Sequence, residues 1–430
     1  MKFHHLLLLF IPAIIFSCKK GQDETLPVIQ IQSPVNGFQA NVYDTLHVRI
    51  HVTDNMHLES MNVRLTTTQL TPVLSSVSIP VEGKSYDAVF DYVISNYRIA
   101  SGNYYLSVDV SDGYNTARAY SNIYVTGIPR ALKGFFAATI PTPGTLSVYK
   151  GDTSWTSSLF TSYSSDFTDL AVNNYWQQVY TNGVYNGPLK ATSIDGTTTG
   201  YSKLGINGPN PYWGMMSVNN SRLWVSYHAD GLIKSFDQNG TQTFSSSVDA
   251  GFYPSLLLQS GDTLYSEQKD ISSSAVRMVV YSTAGGSIQE TPIYVNAVAM
   301  FRKDASSIYV IGNSGLPQAH LLVYDVTTNG YWEPIVLPAG SVTCATQIDS
   351  NTLLFGMTDG NLYRFTYNPV GILTWASAIY PSVLRYDDIN NEIYSAEGSN
   401  VKVYSYSPFA LQHTVAVPYS ISDLELWYNQ

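Results

Sequence analysis

The chain has 430 residues, a formal net charge of −10 and only 13% charged side chains. This balance argues against nucleic acid as a partner, because phosphate binding needs clustered Lys and Arg. The 33 tyrosines, together with frequent Gly, Ser, Thr and Asn, favour strands and turns over helices. We therefore expect an all-β chain, long enough for two or three domains.

The first residues have the pattern of an export signal. A short segment with one lysine, Met1 to His5, precedes the uninterrupted apolar run from Leu6 to Phe16. That run has the length of a signal-peptide core and falls short of the ~20 residues that span a bilayer as a helix. Residues 1–17 are therefore predicted to be a signal peptide.

Ser17-Cys18 at the end of this segment resembles the lipobox of bacterial lipoproteins. The resemblance implies cleavage before Cys18 and lipid attachment to it, and more than one acyl chain gives stable membrane anchoring. Residues 18–25 would then be a solvated tether. The acidic residues Asp23 and Glu24 resemble the surface-export signals of Bacteroidetes lipoproteins. These resemblances imply an outer-membrane lipoprotein of the cell envelope that faces either the cell surface or the periplasm. An ordinary secretory signal with a chance cysteine is the alternative.

Residues 26–127 are predicted to form a β-sandwich. Strand-like runs are separated by turn signals, and Thr45 to Thr53 alternates strictly, with Leu46, Val48, Ile50 and Val52 on one face. Roughly seven short strands in about 100 residues suggest an immunoglobulin-like domain. The Gly102 to Val108 segment resembles a late strand of such domains, in which a tyrosine hydroxyl bonds the backbone at a corner. The expected role is a spacer.

Polar groups in this first domain could suggest metal binding. Asp54-Asn55, Asp109 and Asp112 are of the type that calcium prefers, but Asp and Asn at strand ends more often bond the local backbone. His47 and His51 share the face opposite the apolar one, which we interpret as solvated, since a metal site needs a third ligand. No metal or cofactor is predicted.

Residues 130–430, after the linker Thr126 to Pro129, repeat with a period of about 40 residues, which is typical of a β-propeller with four strands per blade. Each unit has strands ending in Leu or Ile beside an aromatic residue. The clearest copies contain Leu223-Trp224, Leu264-Tyr265, Ile308-Tyr309, Leu354-Phe355 and Ile393-Tyr394.

The two ends of this second domain predict how it closes. Phe135 to Ala138 has the pattern of a second strand, and Ser422 to Trp427 that of an innermost strand with no blade after it. The C-terminal strand would then complete the first blade and remove exposed edges. This closure predicts a seven-bladed propeller, with six or eight blades as the alternatives. The domain resembles YncE-like and quinoprotein-like bacterial propellers, which have a WD-repeat-like architecture. Asp325 to Trp332 resembles one tryptophan-docking repeat of the quinoproteins. Ser235 to Phe244 resembles a sialidase Asp-box but is better interpreted as a hairpin.

The search for chemistry yields few candidates. No nucleophile-elbow, zinc-protease or phosphate-loop motif appears, and Cys344, the one cysteine besides Cys18, lies in a strand where it is best interpreted as a small buried hydrophobe. A ligand site is predicted in the loops that lead into the innermost strands or join second to third strands, where aromatics can stack on sugars or contact a protein. The candidate residues are Tyr212, Trp213, Tyr253, His228, Glu267, Tyr380 and Trp176.

Two functional hypotheses follow. The first is an envelope-anchored binding or scaffold lipoprotein whose propeller recognises a glycan or an envelope protein. The second is an enzyme, of the lactonase, lyase or glycosidase class, with its active site in the propeller channel. A channel mouth that holds two or more buried carboxylates would argue against a propeller that only binds.

Overall fold

The computed structural model describes residues 24–206, 208, 210–219, 221–315 and 318–430. The predicted signal peptide, Cys18 and the tether as far as residue 23 lie outside the described residues. Within these ranges the chain is all-β and forms no helix. Accordingly, no described segment is a helix long and apolar enough to cross a membrane.

The chain divides into two compact units between Pro129 and Arg130. The strands of the first unit are β1 Val28–Ser33, β2 Phe38–Asn41, β3 Thr45–Thr53, β4 Ser60–Thr67, β5 Val77–Pro80, β6 Ser85–Val93, β7 Gly102–Ser111 and β8 Thr116–Thr126. They form a three-stranded sheet in the order β1-β3-β6 and a five-stranded sheet in the order β2-β8-β7-β4-β5.

The core of the first unit follows from the alternation of its strands. Leu46, Val48, Ile50 and Val52 of β3 are all buried, as the pattern predicts, and they join Leu106 and its neighbours from the other sheet in one cluster. Successive side chains of a strand point to opposite faces, so His47 and His51 lie on the other face of β3. They pair across the strands with Asp91 and Asp87.

The aspartates at the strand ends of this unit serve the local backbone. Asp54 accepts the N–H groups of Met56 and His57, and Asp112 accepts those of Tyr114 and Asn115. Asp109, in contrast, forms ion pairs with two arginines. The Tyr104 hydroxyl donates to the carbonyl of Ala100 at 2.9 Å, which ties the start of β7 to the segment before it.

The second unit consists, over its described residues, of seven four-stranded antiparallel sheets. From the innermost to the outermost strand they are β36 Ile421–Tyr428, β9 Leu132–Thr142, β10 Thr145–Asp152 and β11 Ser157–Ser164; β12 Asp169–Asn173, β13 Gln178–Asn182, β14 Leu189–Ser193 and β15 Thr199–Lys203; β16 Trp213–Asn219, β17 Arg222–Tyr227, β18 Leu232–Phe236 and β19 Gln242–Ser247; β20 Phe252–Ser260, β21 Thr263–Asp270, β22 Val276–Ser282 and β23 Ser287–Ile293; β24 Asn296–Arg302, β25 Ser307–Asn313, β26 Ala319–Asp325 and β27 Gly330–Trp332; β28 Val342–Asp349, β29 Thr352–Met357, β30 Asn361–Tyr367 and β31 Val370–Ser377; and β32 Val383–Asp387, β33 Glu392–Glu397, β34 Asn400–Ser405 and β35 Ala410–Ala416.

This arrangement of sheets is that of a β-propeller. Each of the strands β12, β16, β20, β24, β28, β32 and β36 contacts the next one, and β36 contacts β12. The C-terminal strand β36 pairs antiparallel with β9, near the beginning of the unit. Sheets pack face to face in pairs: residues of the β12–β15 and β16–β19 sheets share one hydrophobic cluster. Such packing buries both faces of sheets that could not be stable alone.

The antiparallel order gives the propeller two distinct faces. The loops that lead into each innermost strand, and those that join second to third strands, emerge on one side, which we call the loop face. The remaining connections form the turn face, and most of them are tight turns. The hairpin between β18 and β19 is one of these: Asp237 accepts the N–H groups of Asn239 and Thr241. The segment from Ser235 to Phe244, which resembles an Asp-box, is therefore a hairpin.

Candidate functional site

One recess on the loop face gathers several of the predicted site residues. It has a volume of about 420 Å³ and lies over the β12–β15, β16–β19 and β20–β23 sheets. We call it the aromatic recess. Its lining consists of Thr168, Val184, Asn210, Pro211, Trp213, His228, Ala229, Tyr253 and Ile271. Its size is that of a small-ligand or side-chain pocket.

His228 and Tyr253 form the aromatic edge of the recess. Their ring centroids are 4.8 Å apart, and the backbone N–H of His228 donates to the carbonyl of Tyr212. Burial and the positive charge of Lys269 lower the pKa of His228 to about 4, so this imidazole is neutral at physiological pH. Gly214 makes room for it, because a Cβ there would come within 2.2 Å of Nε2 of His228.

Tyr212 and Trp213 belong to the core rather than to an exposed loop tip, which corrects the sequence-based expectation. Trp213 is the first residue of β16, and its indole N–H donates to the carbonyl of Gly187 at 2.8 Å. Its ring contacts those of Tyr212 and Tyr227, with centroids 4.8 Å away in both cases. Only an edge of Trp213 is left to line the recess.

The other three predicted residues lie elsewhere. Glu267 is not in a loop but is buried in β21, where it accepts the N–H of Ala297 at 2.6 Å. Trp176 lies between β12 and β13, on the turn face, and packs against the core. Tyr380 is 67% exposed on the loop face before β32, outside the lining of the aromatic recess.

A second candidate site, whose residues the sequence analysis did not single out, lies in the central channel. The channel has a volume of about 510 Å³ and is lined by all seven innermost strands. Asp169 of β12 and Asp423 of β36 are both buried at the loop-face end of these strands. Each accepts a backbone N–H from the next innermost strand, Asp169 from Met216 at 2.6 Å and Asp423 from Leu170 at 3.0 Å.

Arg385 connects this pair to a third carboxylate. Its guanidinium donates two hydrogen bonds to Glu425, at 2.6 and 2.9 Å, and a longer one to Asp423 at 3.4 Å. Burial and the negative charge of Asp423 raise the pKa of Asp169 well above its ordinary value. The carboxyl of Asp169 is thus held in its protonated form more readily than a solvated aspartate. The channel therefore holds the buried carboxylates that the enzymatic hypothesis requires, although each of the two aspartates already accepts a backbone N–H.

Asp169 supports a testable prediction of pH dependence. A carboxyl whose pKa is raised by folding adds stability below its unfolded pKa of about 4, and this contribution is lost as pH rises through the folded pKa. Asparagine can keep the bond from Met216 and donate to Asp423 without ionising. We expect Asp169→Asn to be more stable than the parent at pH 8 by about 1 kcal/mol or more, and equal to it near pH 4.

Urea unfolding across this pH range measures the effect, with Asp262→Asn, an exposed aspartate of the turn face, as the control that should not change the profile. An Asp169→Asn protein less stable than the parent at pH 8 would show that the ionised carboxylate is needed there.

Two other observations restrict the chemistry. Cys344 is buried in β28, and burial raises the pKa of its thiol to about 11, as suits a packing residue rather than a nucleophile. Across the described part of the chain, no group of three His, Cys, Asp or Glu side chains is placed to hold a metal ion.

The turn face has a cavity of its own, of about 720 Å³, at the other end of the channel. Its lining contains side chains of both charges, and the guanidinium of Arg130 donates to both carboxylate oxygens of Asp388, at 2.8 and 2.9 Å. It therefore presents no single charge to a ligand.

A sequence signal for the channel carboxylates does exist. Thr168-Asp169-Leu170 and Ser422-Asp423-Leu424 repeat the same pattern at the start of two innermost strands. The remaining lining of the aromatic recess, such as Ile271 and Val184, comes from loops without such a pattern.

Comparison with known proteins gives limited information. No family model matches the sequence, and no curated protein matches it. Among solved structures, a quinoprotein alcohol dehydrogenase-like protein from Bacteroides thetaiotaomicron is 14% identical over 94% of this chain and 99% of its own, with a TM-score of 0.44.

A putative 6-phosphogluconolactonase from Bacteroides fragilis is 10% identical over 69% of this chain and 98% of its own, with a TM-score of 0.49. The β-propeller domain of Cps50 (Swd1) from Myceliophteria thermophila is 9% identical over 60% of this chain and 88% of its own, with a TM-score of 0.46.

Proposed function

We propose that the protein is an envelope-anchored binding lipoprotein, with an immunoglobulin-like spacer and a seven-bladed propeller whose loop face recognises a partner. Lipid on Cys18 would hold it at the outer membrane. Mass spectra of membrane extracts test that part, because a mature chain that begins at Cys18 without acyl chains would refute the anchor.

The domain assignments are supported by the strand orders. A β1-β3-β6 sheet facing a β2-β8-β7-β4-β5 sheet has the two-sheet order of an immunoglobulin-like sandwich, and the Tyr104 to Ala100 bond resembles the tyrosine corner of such domains. For the propeller, the support is the cyclic contact of the seven innermost strands.

The observation that carries the binding function is the distribution of exposed apolar side chains. Those in the loops of the propeller collect on the loop face, and include Tyr185, Leu204, Ile271, Val336, Tyr380 and Tyr419. The described connections of the turn face expose far fewer, namely Tyr175 and Ile389. Apolar surface collected on one face marks an interaction site, whereas scattered residues do not.

Site-specific photo-crosslinking in the native envelope tests this proposal. A benzophenone amino acid would replace Tyr380, which is 67% exposed on the loop face, or Tyr175, which is 41% exposed on the turn face. We expect a discrete crosslinked product from position 380 and none from position 175. Equal labelling from the two positions, or none from either together with no signal on a glycan array, would refute the loop face as the binding surface.

An enzyme is the second candidate, and the channel carboxylates favour it. Asp169, with its raised pKa, could act as a general acid in the channel that also holds Arg385 and Glu425. Against this, both Asp169 and Asp423 already accept backbone hydrogen bonds, which gives them a structural role. Turnover of a lactone or glycoside panel that disappears in Asp169→Asn, while the fold is retained, would establish the enzymatic function.

A further inference from the structure

We propose that the aromatic recess is an anchor pocket for one uncharged aromatic or aliphatic side chain of a protein partner, which carries basic residues on either side of it. This inference deepens the proposed binding function and names the chemistry of its partner.

The recess offers an apolar wall and few free polar groups. Ile271 and Val184 contribute aliphatic surface, and Tyr253 contributes a ring. Of the polar lining groups, Thr168 already donates its hydroxyl to the carbonyl of Gly183 at 2.8 Å, whereas Nε2 of His228 is buried without a hydrogen-bond partner and can satisfy only one polar group of a ligand. A sugar ring has several hydroxyl groups that need partners, and leaving such groups unpaired costs affinity. The geometry thus favours an apolar side chain over a sugar.

The neutral charge of the recess points the same way. Because the pKa of His228 is about 4, its imidazole carries no charge near pH 7. Besides burial, the positive charge of Lys269 lowers the pKa of His228. Nζ of Lys269 lies 3.5 Å from Oε2 of the buried Glu267. A charged side chain placed in the recess would lose its hydration and gain no counter-charge.

The loops that frame the recess are acidic. Three of the connections around the recess each contain one aspartate and no Lys or Arg. Asp166 lies in the connection that supplies Thr168, Asp230 in the one that supplies His228, and Asp249 in the one that leads to Tyr253. Asp249 is largely exposed although it pairs with Arg277. Charge complementarity therefore favours basic residues next to the anchoring side chain and disfavours acidic ones.

Ligand-observed saturation-transfer NMR with short synthetic probes tests the inference on the purified mature chain. The probes are acetyl-Lys-Trp-Lys-amide, its charge-reversed form acetyl-Glu-Trp-Glu-amide, and methyl β-glucoside. We expect saturation of the indole protons of the Lys-flanked peptide, a clearly weaker effect for the Glu-flanked one and none for the glucoside.

Ile271→Lys replaces apolar surface at the rim of the recess by a positive charge without touching the core, since Ile271 is 68% exposed. We expect it to weaken binding of the Lys-flanked peptide about tenfold, because apolar contact is lost and the like charges repel. The matched control is Ile389→Lys on the turn face, where the residue is 41% exposed. Ala229→Trp, which fills the recess from an exposed position, gives a second blocking variant.

Binding of the glucoside instead of the peptide would overturn the inference in favour of a glycan. Equal peptide binding to Ile271→Lys and Ile389→Lys, or no binding of either peptide, would overturn it as well. The crosslink from position 380 would still report a partner on the loop face in those cases, so failure of the pocket and failure of the binding function can be told apart.

Discussion

Deletion of residues 421–430 is expected to abolish the cooperative folding of the second unit. This segment contains β36, the innermost strand of the first sheet, which pairs with β9 and contacts β12 of the next sheet. Without it, β9 would have an unpaired edge inside the propeller, and Leu424 and Leu426 would be missing from a shared core cluster. Unpaired edges of this kind promote aggregation.

Size-exclusion chromatography and urea unfolding of the truncated chain measure this effect. A point variant tests the same strand more gently: Leu424→Ala should cost about 2–5 kcal/mol, as expected for a fully buried leucine. The control Leu411→Ala, in the outermost strand β35, should stay within about 0.5 kcal/mol because that residue is exposed. A truncated chain that keeps its monomeric size and its unfolding transition would contradict the role of β36 in closing the ring.

Trp213→Ala is expected to destabilise the second unit by about 3–5 kcal/mol. Trp213 is only 1% exposed, and truncation would leave a cavity beside Tyr212 and Tyr227 and an unpaired carbonyl at Gly187. A loss of ligand binding in this variant would therefore report a damaged fold. Variants at the rim, such as Ile271→Lys, separate binding from folding.

Urea unfolding, with Trp332→Ala as the control, tests this prediction. Trp332 ends the outermost strand β27 and is exposed, so its removal should cost little. It is not docked in the core, although its segment resembles a tryptophan-docking repeat. Similar losses for the two tryptophans would contradict the structural role of Trp213.

Local sequence patterns were sufficient for the longer strands of the first unit. The alternation from Thr45 to Thr53 predicts both the bounds of β3 and its buried face, because the side-chain period of a strand is two. The short strands β2 and β5, with four residues each, were not predicted. Segments of this length have too few residues for a period to be recognised, and their pairing is decided by the neighbouring strands β8 and β4.

The candidate site was predicted only in part. Aromatic residues near the start of innermost strands drew attention to Trp213, His228 and Tyr253, and these do line one recess. The sequence could not distinguish a side chain that packs between sheets from one that faces solvent, so Trp213 was taken for an exposed residue. Glu267 was misplaced for the same reason, because its burial depends on the contact with Ala297 of the next sheet.

The sequence by itself determined the all-β class and the repeated strand pattern, because these depend on residue type and local period. Its composition likewise disfavours nucleic acid as a partner. Only the tertiary structure decided which residues meet. Asp169 and Asp423 are 254 positions apart in sequence, and they become neighbours because the last strand of the chain lies beside β12 in the ring. The aromatic recess likewise forms from loops of three different sheets. Its neutral, apolar character arises because residues from these loops bury each other's polar groups.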